Sequence, residues 1–242
     1  PRIDVMAKWL WMIYAILTVV ETMLLMIGGM SFFDAVCHSF STTATGGYST
    51  KQASVAYYQS PYIEYVISIF MFISGINFTL LLFFVNRKFK KVIHDAELKW
   101  YFWSVILFTG LIAVILFYSK PMGMEDAFRK SLFQVISLHT STGFATDDYM
   151  LWPAVTWGLL TIVMLMGACA GSTTGGLKCI RMVILGKVAR NEFKHILHPN
   201  AVLPVRINKQ VISPSVQSTV LAFCFISVSY THLRAHETLS DL

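Results

Sequence analysis

The sequence predicts an all-α membrane protein built from repeated units, each made of a span, a re-entrant loop and a second span. Three observations lead to this fold class. Of the 242 residues, 55% are hydrophobic and only 13% are charged, whereas a soluble domain carries about 25% charged residues. Several segments also have the ~20 mainly apolar residues that a membrane-spanning helix needs. Finally, a short polar motif recurs at equivalent places between these segments.

Five apolar segments are predicted to be spans: 9–30, 65–85, 100–119, 149–177 and 211–228. The first is interrupted only by Glu21. The fourth is longer than one crossing requires, since a spanning helix takes about 17–25 residues. The fifth has a polar beginning and is the weakest of the set. We therefore expect two complete span pairs and the start of a further one.

Most of the basic residues fall on one side of this arrangement. They precede the first span, separate the second from the third, or follow the fourth, and they make up 14 of the 19 Lys and Arg residues. Basic segments stay on the cytoplasmic side of a membrane. The sequence therefore predicts that both 1–8 and 178–210 are cytoplasmic, and that the net charge of +6 reflects topology.

The two outward-facing segments, 31–60 and 120–150, do not have the composition of ordinary polar loops. Each begins with an apolar stretch that is too short to cross a membrane, 32–36 in one and 127–138 in the other. Such short runs indicate re-entrant segments. At membrane depth they are tolerated only where they are buried in protein or line water.

A four-residue motif follows each of these short apolar stretches. Thr43-Ala44-Thr45-Gly46 recurs as Thr140-Ser141-Thr142-Gly143, 97 residues further along the chain. One T-x-T-G is a weak signal, because Thr, Ser and Gly are common in turns. Two copies in the same setting, each between a re-entrant stretch and a span, indicate an internal repeat.

The chemistry of the motif suits a K⁺-channel-like cation filter. Potassium channels replace the hydration shell of the ion with backbone carbonyls, and glycine allows backbone conformations that other residues avoid. No carboxylate lies within 38–50. A short helix before the loop also directs its partly negative C-terminal end at a cation.

Three motifs together resemble one family. They are F-D-A-V with H-S-F-S-T-T-A-T-G-G-Y-S-T (33–50), F-Q-V through S-T-G-F-A-T-D (133–147), and G-A-C-A-G-S-T-T-G-G-L-K (167–178). The chain resembles the bacterial Trk/Ktr/HKT superfamily of potassium-uptake proteins, most closely the pore subunit of Trk systems, over residues 4 to about 226. The resemblance implies that 1–97 is the second of four span–pore-loop–span units and 98–200 the third. Residues 201–228 would begin the first span of the next unit.

The resemblance also implies the functional residues. K⁺ is the transported ion, with no organic cofactor, and Gly46 and Gly143 are the filter glycines. The filter residues expected from the two units are Thr43, Ala44, Thr45, Gly46, Gly47, Thr140, Ser141, Thr142, Gly143 and Phe144. The gate, a glycine-rich break in a helix beneath the filter, is expected at Gly171, Ser172, Thr173, Thr174, Gly175, Gly176 and Lys178.

The partners that the resemblance implies are the lipid bilayer of the bacterial inner membrane, a second copy of the chain, and a ring of cytosolic nucleotide-binding TrkA-type subunits. No nucleic acid is expected. Lys187, Arg190 and Lys194 are spaced to lie on one helix face. Lipid headgroups, solvent or an acidic partner surface would each explain that face.

Other functions are weighed on the same residues. Gly171 and Gly176 have phosphate-loop spacing, but Leu177 stands where the lysine belongs. Lys178 comes one residue late, and Cys179 after it offers no hydroxyl to Mg²⁺. His139, Ser141 and Asp147 form no nucleophile elbow, so no enzyme is expected. A secondary transporter with broken helices explains the break but not the repeated motif, and it stays as the alternative. Coupling to H⁺ or Na⁺, and K⁺ against Na⁺ selectivity, also stay open.

Ionisable residues within or near spans are candidates for function. Glu21 is expected to be buried or to face a cavity, and Glu64 to be interfacial. His38 and His139 are interpreted as capping or interfacial residues, with proton coupling as the alternative. Asp147 and Asp148 either concentrate cations at the outer mouth or form a solvated rim.

Two expectations concern the extent of the chain. It begins without an initiator Met and contains two of four units, so it is expected to be a fragment that cannot close a pore alone. The abruptly polar 229–242 is expected to be non-native sequence.

The four cysteines match no metal-ligand spacing and are expected in the core or facing lipid.

Overall fold

The computed structural model describes residues 3–198, 203–208 and 210–240. Within these ranges the regular secondary structure is helical apart from one short β-hairpin, which confirms the predicted α class. The helices are α1 (Ile3–Ile27), α2 (Phe32–Thr43), α3 (Pro61–Ser74), α4 (Phe78–Val85), α5 (Phe89–Ile93), α6 (Ala96–Ser119), α7 (Met124–His139), α8 (Ala154–Met166), α9 (Cys179–Leu197) and α10 (Pro214–Ser240). Short 3₁₀ turns lie at Ser54–Tyr58 and Tyr149–Leu151, and β1 (Arg206–Ile207) pairs antiparallel with β2 (Gln210–Val211).

The first unit consists of α1, the short helix α2 and the α3–α4 pair. The segment Ala7–Ile27 of α1 is long and apolar enough to cross a membrane, as predicted. Helix α2 begins at Phe32 because the Ser31 hydroxyl accepts a hydrogen bond from the Asp34 N–H at 3.1 Å, which satisfies a backbone donor at the helix start. Helix α2 packs against both α1 and α3.

The second unit repeats the pattern with α6, α7 and α8. Helix α6 is 24 residues long and apolar enough to span. It starts where the Asp95 side chain accepts from the Leu98 N–H at 2.9 Å. Helix α7 packs against α6 and α8 and also against α3 of the first unit. The two short helices, α2 and α7, therefore both lie inside the bundle.

The predicted second span, 65–85, is not one straight helix. Helices α3 and α4 are separated by 75–77 and bent by 102°. Asn77 starts the new helix, because its side chain accepts from the Thr79 N–H at 2.8 Å. Gly75 allows close packing, since a Cβ there would lie 2.4 Å from the Tyr101 hydroxyl. We call 75–77 the α3–α4 corner.

The fourth and fifth predicted spans also begin or end differently from expectation. Helix α8 has only 13 residues and ends at Gly167, whose φ of +64° stops the helix. The chain then stays non-helical until α9 begins at Cys179. Helix α10 starts at Pro214 rather than residue 211, because Gln210 and Val211 pair with β1.

The core has two parts. The larger part lies between the two units and includes the fully buried Leu25, Ile67, Tyr101 and Phe133. The smaller part joins α9, the hairpin and α10. Large apolar side chains such as Trp11 are exposed on the outside of α1 and α6, as expected for surfaces that contact lipid.

A buried ion pair joins the two units on the side where α3 and α7 begin. The Arg129 guanidinium donates to the Glu64 carboxylate at 2.6 Å, and both side chains are less than one-tenth exposed. Arg129 also contacts Glu125 and Asp126 on its own helix. Glu64 was expected at the interface with water; it is buried instead, because Arg129 of α7 compensates its charge.

We predict that Arg129→Met lowers the free energy of unfolding by about 3–5 kcal/mol, because it leaves the Glu64 carboxylate buried without its cation. Glu125→Gln is the matched control, since its side chain is 60% exposed and such pairs contribute at most ~1 kcal/mol. Unfolding of the detergent-solubilised protein measures both. Equal effects of the two substitutions would contradict the assignment, and Arg129→Met combined with Glu64→Leu should recover most of the loss.

Candidate functional site

The chain leaves α2 and α7 along the same backbone path. In each case three successive backbone N–H groups donate hydrogen bonds of 2.7–3.1 Å to carbonyl oxygens in the last turn of the preceding helix. These donors are Ala44, Thr45 and Gly46 after α2, and Thr140, Ser141 and Thr142 after α7. The two loops are thus structural equivalents, and we call 43–48 and 139–144 the loop strands.

The backbone match has a spacing of 96 residues, one less than the T-x-T-G match. Thr45 and Ser141 share a positive φ of +52° and +55°, and Gly47 and Gly143 share one of +71° and +85°. Gly47, not Gly46, is therefore the equivalent of Gly143. Aligning the two T-x-T-G motifs by sequence is therefore one residue out of register with the structure. The pairing of Gly46 with Gly143 is corrected to Gly47 with Gly143.

Gly47 also marks the closest approach between the loop strands. A Cβ on Gly47 would lie 1.9 Å from the Thr142 carbonyl oxygen, so the two backbones touch there. A Cβ on Gly46 would make only ordinary contacts, 3.5 Å or more from its neighbours. A Cβ on Gly143 would meet no atom within 4 Å. Gly143 is therefore required by its φ alone, and Gly47 by its φ and by lack of space.

Buried polar side chains hold the loop strands in place. The His38 Nδ1–H donates to the Asp34 backbone carbonyl at 2.7 Å, and its Nε2 is hydrogen-bonded to the Ser49 hydroxyl at 2.9 Å. Its ring stacks on Phe144 with centroids 5.7 Å apart. His38 of one unit thereby contacts the loop strand of the other. His38 was expected to be a capping or interfacial residue; it is fully buried instead, between its own unit and Phe144 of the other.

The second loop strand has supports of a different kind. His139 lies 2.8 Å from the Ser104 hydroxyl of α6 through Nε2. The Ser137 hydroxyl donates to the Phe144 carbonyl at 2.6 Å. Thr140 and Thr142 share a hydroxyl–hydroxyl hydrogen bond of 2.7 Å. In the 96-residue register Thr43 is the equivalent of His139, so the two histidines do not occupy equivalent positions.

The outer ends of the loop strands carry ion pairs. Asp34 accepts from the Thr50 hydroxyl and pairs with Lys51 at 3.1 Å; these contacts, the Thr50 hydrogen bond foremost, hold the pKa of Asp34 at about 2. Partial burial alone would raise the pKa of Asp147, but Lys130 at 2.9 Å outweighs it and keeps that pKa below its usual value. Both groups are carboxylates at neutral pH, with their charge balanced by lysine.

The non-helical segment between α8 and α9, residues 167–178, lies against both loop strands; we call it the gate segment. The Thr173 hydroxyl donates to the Thr43 carbonyl at 3.2 Å. A Cβ on Gly175 would lie 3.2 Å from the Ser141 hydroxyl. Gly171 and Gly176 have φ of +73° and +78°. The sequence-predicted filter and gate residues are therefore in contact.

Lys178 ends the gate segment and points back into it. Its ammonium donates to the Thr174 carbonyl and lies 3.2 Å from the Thr174 hydroxyl. The Ser172 and Thr174 hydroxyls are hydrogen-bonded at 2.7 Å. The polar groups that a phosphate would require here are thus bonded to one another, which argues against the phosphate-loop interpretation.

Sequence reasoning missed two sets of contacts with the gate segment. The buried Glu97 carboxylate of α6 accepts from the Ala170 N–H at 2.5 Å. At the α3–α4 corner the Gly75 carbonyl accepts from the Cys169 N–H at 3.1 Å. A charged residue at the start of a span was the available signal for Glu97. The G-I-N sequence at 75–77 was the signal for the corner.

The remaining candidates are placed as follows. Glu21 is fully buried, as expected, and neither of its carboxylate oxygens has a hydrogen-bond partner among the described residues. His139 contacts Ser104 while Asp147 pairs with Lys130, so the hydrolytic set is not assembled. The described residues contain no cluster of three His, Cys, Asp or Glu suited to a metal ion. Cys37 is half-buried, and Cys169, Cys179 and Cys224 are buried.

The basic face of α9 is only partly free. The Lys187 ammonium donates to the Arg206 carbonyl at 2.5 Å, which ties α9 to the hairpin. Arg190 and Lys194 are exposed. A surface of two cations therefore remains for lipid, solvent or a partner, and the choice among these stays a prediction.

Comparison with known proteins gives a consistent result. The family described as "TrkH: Cation transport protein" matches residues 1–237. The Trk system potassium uptake protein TrkH of Escherichia coli K12 is 38% identical over 229 residues, which cover 92% of this chain and 47% of that protein. TrkG of the same strain is 34% identical over 235 residues, with 96% and 48% covered.

A solved structure is also similar. The crystal structure of the potassium transporter TrkH from Vibrio parahaemolyticus matches with a TM-score of 0.87 and 36% sequence identity, over 92% of this chain and 48% of that one. This match confirms the predicted membrane-protein fold class. The chain spans about half the length of the relatives it matches. The family match extends to residue 237, while the expectation that 229–242 is non-native stays a prediction.

We predict that Gly47→Ala is far more disruptive than Gly46→Ala, because only the former places a methyl group on the Thr142 carbonyl. Overpacking of this kind costs about 1–3 kcal/mol or more, and the positive φ adds strain. Thermal unfolding of the two variants, expressed in parallel, measures the difference. Equal stability of the two variants would contradict the 96-residue register, in which Gly47 is the constrained glycine, and would favour the 97-residue register.

Proposed function

Because the chain belongs to the TrkH family of cation transport proteins, we propose that it forms two units of a pore that takes K⁺ into a bacterial cell. The apolar helices α1 and α6 make it an integral membrane protein, and the proposed location is the inner membrane. Its relatives in Escherichia coli are named potassium uptake proteins of the Trk system. The proposed substrate is the ion that those names state.

One observation supports this function above the others: two equivalent loop strands meet backbone to backbone at Gly47 and Thr142. A filter for a dehydrated monovalent cation is built from carbonyls that converge on one axis. Such convergence needs residues without bulky side chains and a backbone that turns through positive φ. Both loop strands supply these features, and carboxylates are absent from 43–48 and 139–144.

Nine of the ten filter residues expected from the sequence are kept in the proposal; the shifted register makes His139 the equivalent of Thr43 and leaves out Phe144. Thr43, Ala44, Thr45, Gly46 and Gly47 pair with His139, Thr140, Ser141, Thr142 and Gly143. Phe144 then corresponds to Tyr48, and its carbonyl is already bonded by the Ser137 hydroxyl. We therefore place the main ion contacts before Phe144. The C-terminal ends of α2 and α7 add a favourable potential for a cation.

The other half of the pore is proposed to come from the rest of the family's length, since this chain covers about half of it. Each loop strand has a face that remains free for a further strand. A cavity of about 520 Å³ is lined by Ser141, Gly143 and Phe223. Another of about 550 Å³ is lined by Tyr14, Thr43 and Thr173. Four strands, two of them from these units, would complete the ring.

The gate segment is proposed to obstruct the path until it moves. Its contacts with Thr43 and Ser141 place it directly against both loop strands. Helix α9 follows it without interruption, so a force on the cytoplasmic end of α9 would reach the segment. The proposed source of that force is a ring of nucleotide-binding subunits, with a second copy of the chain completing a dimer.

A secondary transporter remains the second candidate, and one observation favours it. Both α3–α4 and α8–α9 are broken, and the two breaks meet at Gly75 and Cys169. Transporters bind solutes between such broken helices. The two functions differ in the dependence of flux on gradients: a channel-like pore passes Rb⁺ down its own gradient, whereas coupled uptake stops when the driving H⁺ or Na⁺ gradient is removed.

We predict that Gly143→Ala lowers the selectivity for K⁺ over Na⁺ by roughly tenfold, the factor that about 1.4 kcal/mol represents, since the strained φ turns the adjacent carbonyls. The methyl group meets no atom within 4 Å, so the fold should persist. Uptake of ⁸⁶Rb⁺, with Na⁺ as competitor, measures selectivity in proteoliposomes that contain these two units together with the other half of the pore. This complete pore is the intact protein of the flux tests below.

Gly110→Ala is the matched control for this test, because the added methyl group on α6 also meets no atom within 4 Å. It should leave both flux and selectivity as they are. An intact protein that takes up no Rb⁺, or a Gly143→Ala protein with unchanged selectivity, would refute the filter.

A further inference from the structure

The gate segment is held on the side away from the loop strands by a buried carboxylate. Glu97 lies in the first turn of α6 and is 5% exposed. It accepts from the Ala170 N–H near the start of the segment. Hydrogen bonds that involve an ionised partner are roughly twice as strong as neutral ones.

Backbone hydrogen bonds to the α3–α4 corner also keep the gate segment in place. The Cys169 N–H donates to the Gly75 carbonyl, and the Phe78 N–H donates to the Gly171 carbonyl, both at 3.1 Å. The Asn77 side chain fills the space beside Gly171, where a Cβ would lie 3.2–3.3 Å from its amide atoms. The two helix breaks therefore satisfy each other's backbone groups.

Helix α6 in turn keeps the α3–α4 corner in place. The Tyr101 hydroxyl donates to the Phe72 carbonyl at 3.3 Å. Tyr101 also packs against Gly75 and is fully buried. Tyr101 and Glu97 are on the same helix, one turn apart, so α6 supports both holds. The gate segment can leave only by separating from α6 and from the corner together.

We propose that Glu97 and the α3–α4 corner form a clamp that keeps the gate segment closed, so that opening breaks the Ala170, Cys169 and Phe78 hydrogen bonds. The clamp rests on the function proposed above for the gate segment. Glu97 and Asn77 are positioning residues that act through the segment and do not contact the ion. The clamp also couples the gate of one unit to the bent helix pair of its neighbour.

Glu97→Gln tests, in the intact protein, whether the charge of the Glu97 carboxylate helps to hold the gate segment closed. The amide keeps the shape and an acceptor oxygen but loses the charge, so the closed state is weakened. We expect ⁸⁶Rb⁺ uptake without the nucleotide-binding partner to rise by roughly 5- to 10-fold, the factor that one weakened charge-assisted bond represents. Selectivity for K⁺ over Na⁺ should stay unchanged. Glu192→Gln, which removes an exposed carboxylate from α9, should change neither quantity.

A reversible crosslink tests the corner without relying on destabilisation. A Cβ at position 171 would lie 3.3 Å from the Asn77 Cγ. The sulfur of a cysteine at position 77 would occupy the place of that Cγ, so cysteines at the two positions are close enough to form a disulfide. Asn77→Cys with Gly171→Cys should lose uptake on oxidation with copper phenanthroline and regain it with dithiothreitol. The double substitution and both single substitutions are made in a background in which Cys37, Cys169, Cys179 and Cys224 are replaced by alanine, and the singly substituted proteins should respond to neither reagent.

The outcomes separate the clamp from the proposed function. An intact protein that takes up no Rb⁺ would refute the function, and the clamp with it. A conducting protein whose selectivity responds to Gly143→Ala, but whose basal uptake is unaffected by Glu97→Gln, would refute the clamp alone. Continued uptake by the crosslinked protein, with the disulfide verified by mass spectrometry, would do the same.

Discussion

Backbone N–H and C=O groups that leave a helix at membrane depth must find partners inside the protein, because hydrocarbon offers none. Within the described residues, four breaks in the helices are expected at this depth: after α2, after α7, at the α3–α4 corner and in the gate segment. The first two satisfy their donors by folding back on the preceding helix. The last two share two backbone hydrogen bonds, from Cys169 N–H to Gly75 and from Phe78 N–H to Gly171. The positions of the loop strands and of the gate segment both follow from this requirement.

Hydroxyl side chains extend the same principle. Thr22 and Ser39 are hydrogen-bonded at 3.0 Å between α1 and α2, and Thr18 and Thr43 at 3.2 Å. Ser104 performs the corresponding task for α6 and α7 through His139. These contacts hold each short helix to the first span of its own unit. The ends of α2 and α7 are thereby fixed where the loop strands begin, which sets how closely Gly47 and Thr142 approach.

The sequence was sufficient for the fold class and the two short helices, because each has a local signature, while the filter and gate residues stay predictions. Length and hydropathy identify α1 and α6, and small polar residues identify the loops. The register of the repeat was not accessible, since Thr43 and His139 occupy equivalent positions with different side chains. The bend at 75–77 was missed because Gly75 and Asn77 interrupt an uncharged run without changing its hydropathy. The roles of Glu97 and Glu64 depend on residues 73 and 65 positions away, and no local pattern reveals such partners.

The two ends of the bundle are held together by interactions of different strength. At the end where α3 and α7 begin, Arg129, Glu64, Lys130 and Asp147 form ion pairs that join α3, α7 and the loop after it. At the opposite end, the gate segment is held by one carboxylate and a few backbone hydrogen bonds. Breaking a buried ion pair leaves an uncompensated charge, at a cost of several kcal/mol. Exchanging neutral backbone bonds costs far less when new partners are available. Movement is therefore expected in the gate segment, while the loop strands and their ion-paired outer ends stay fixed.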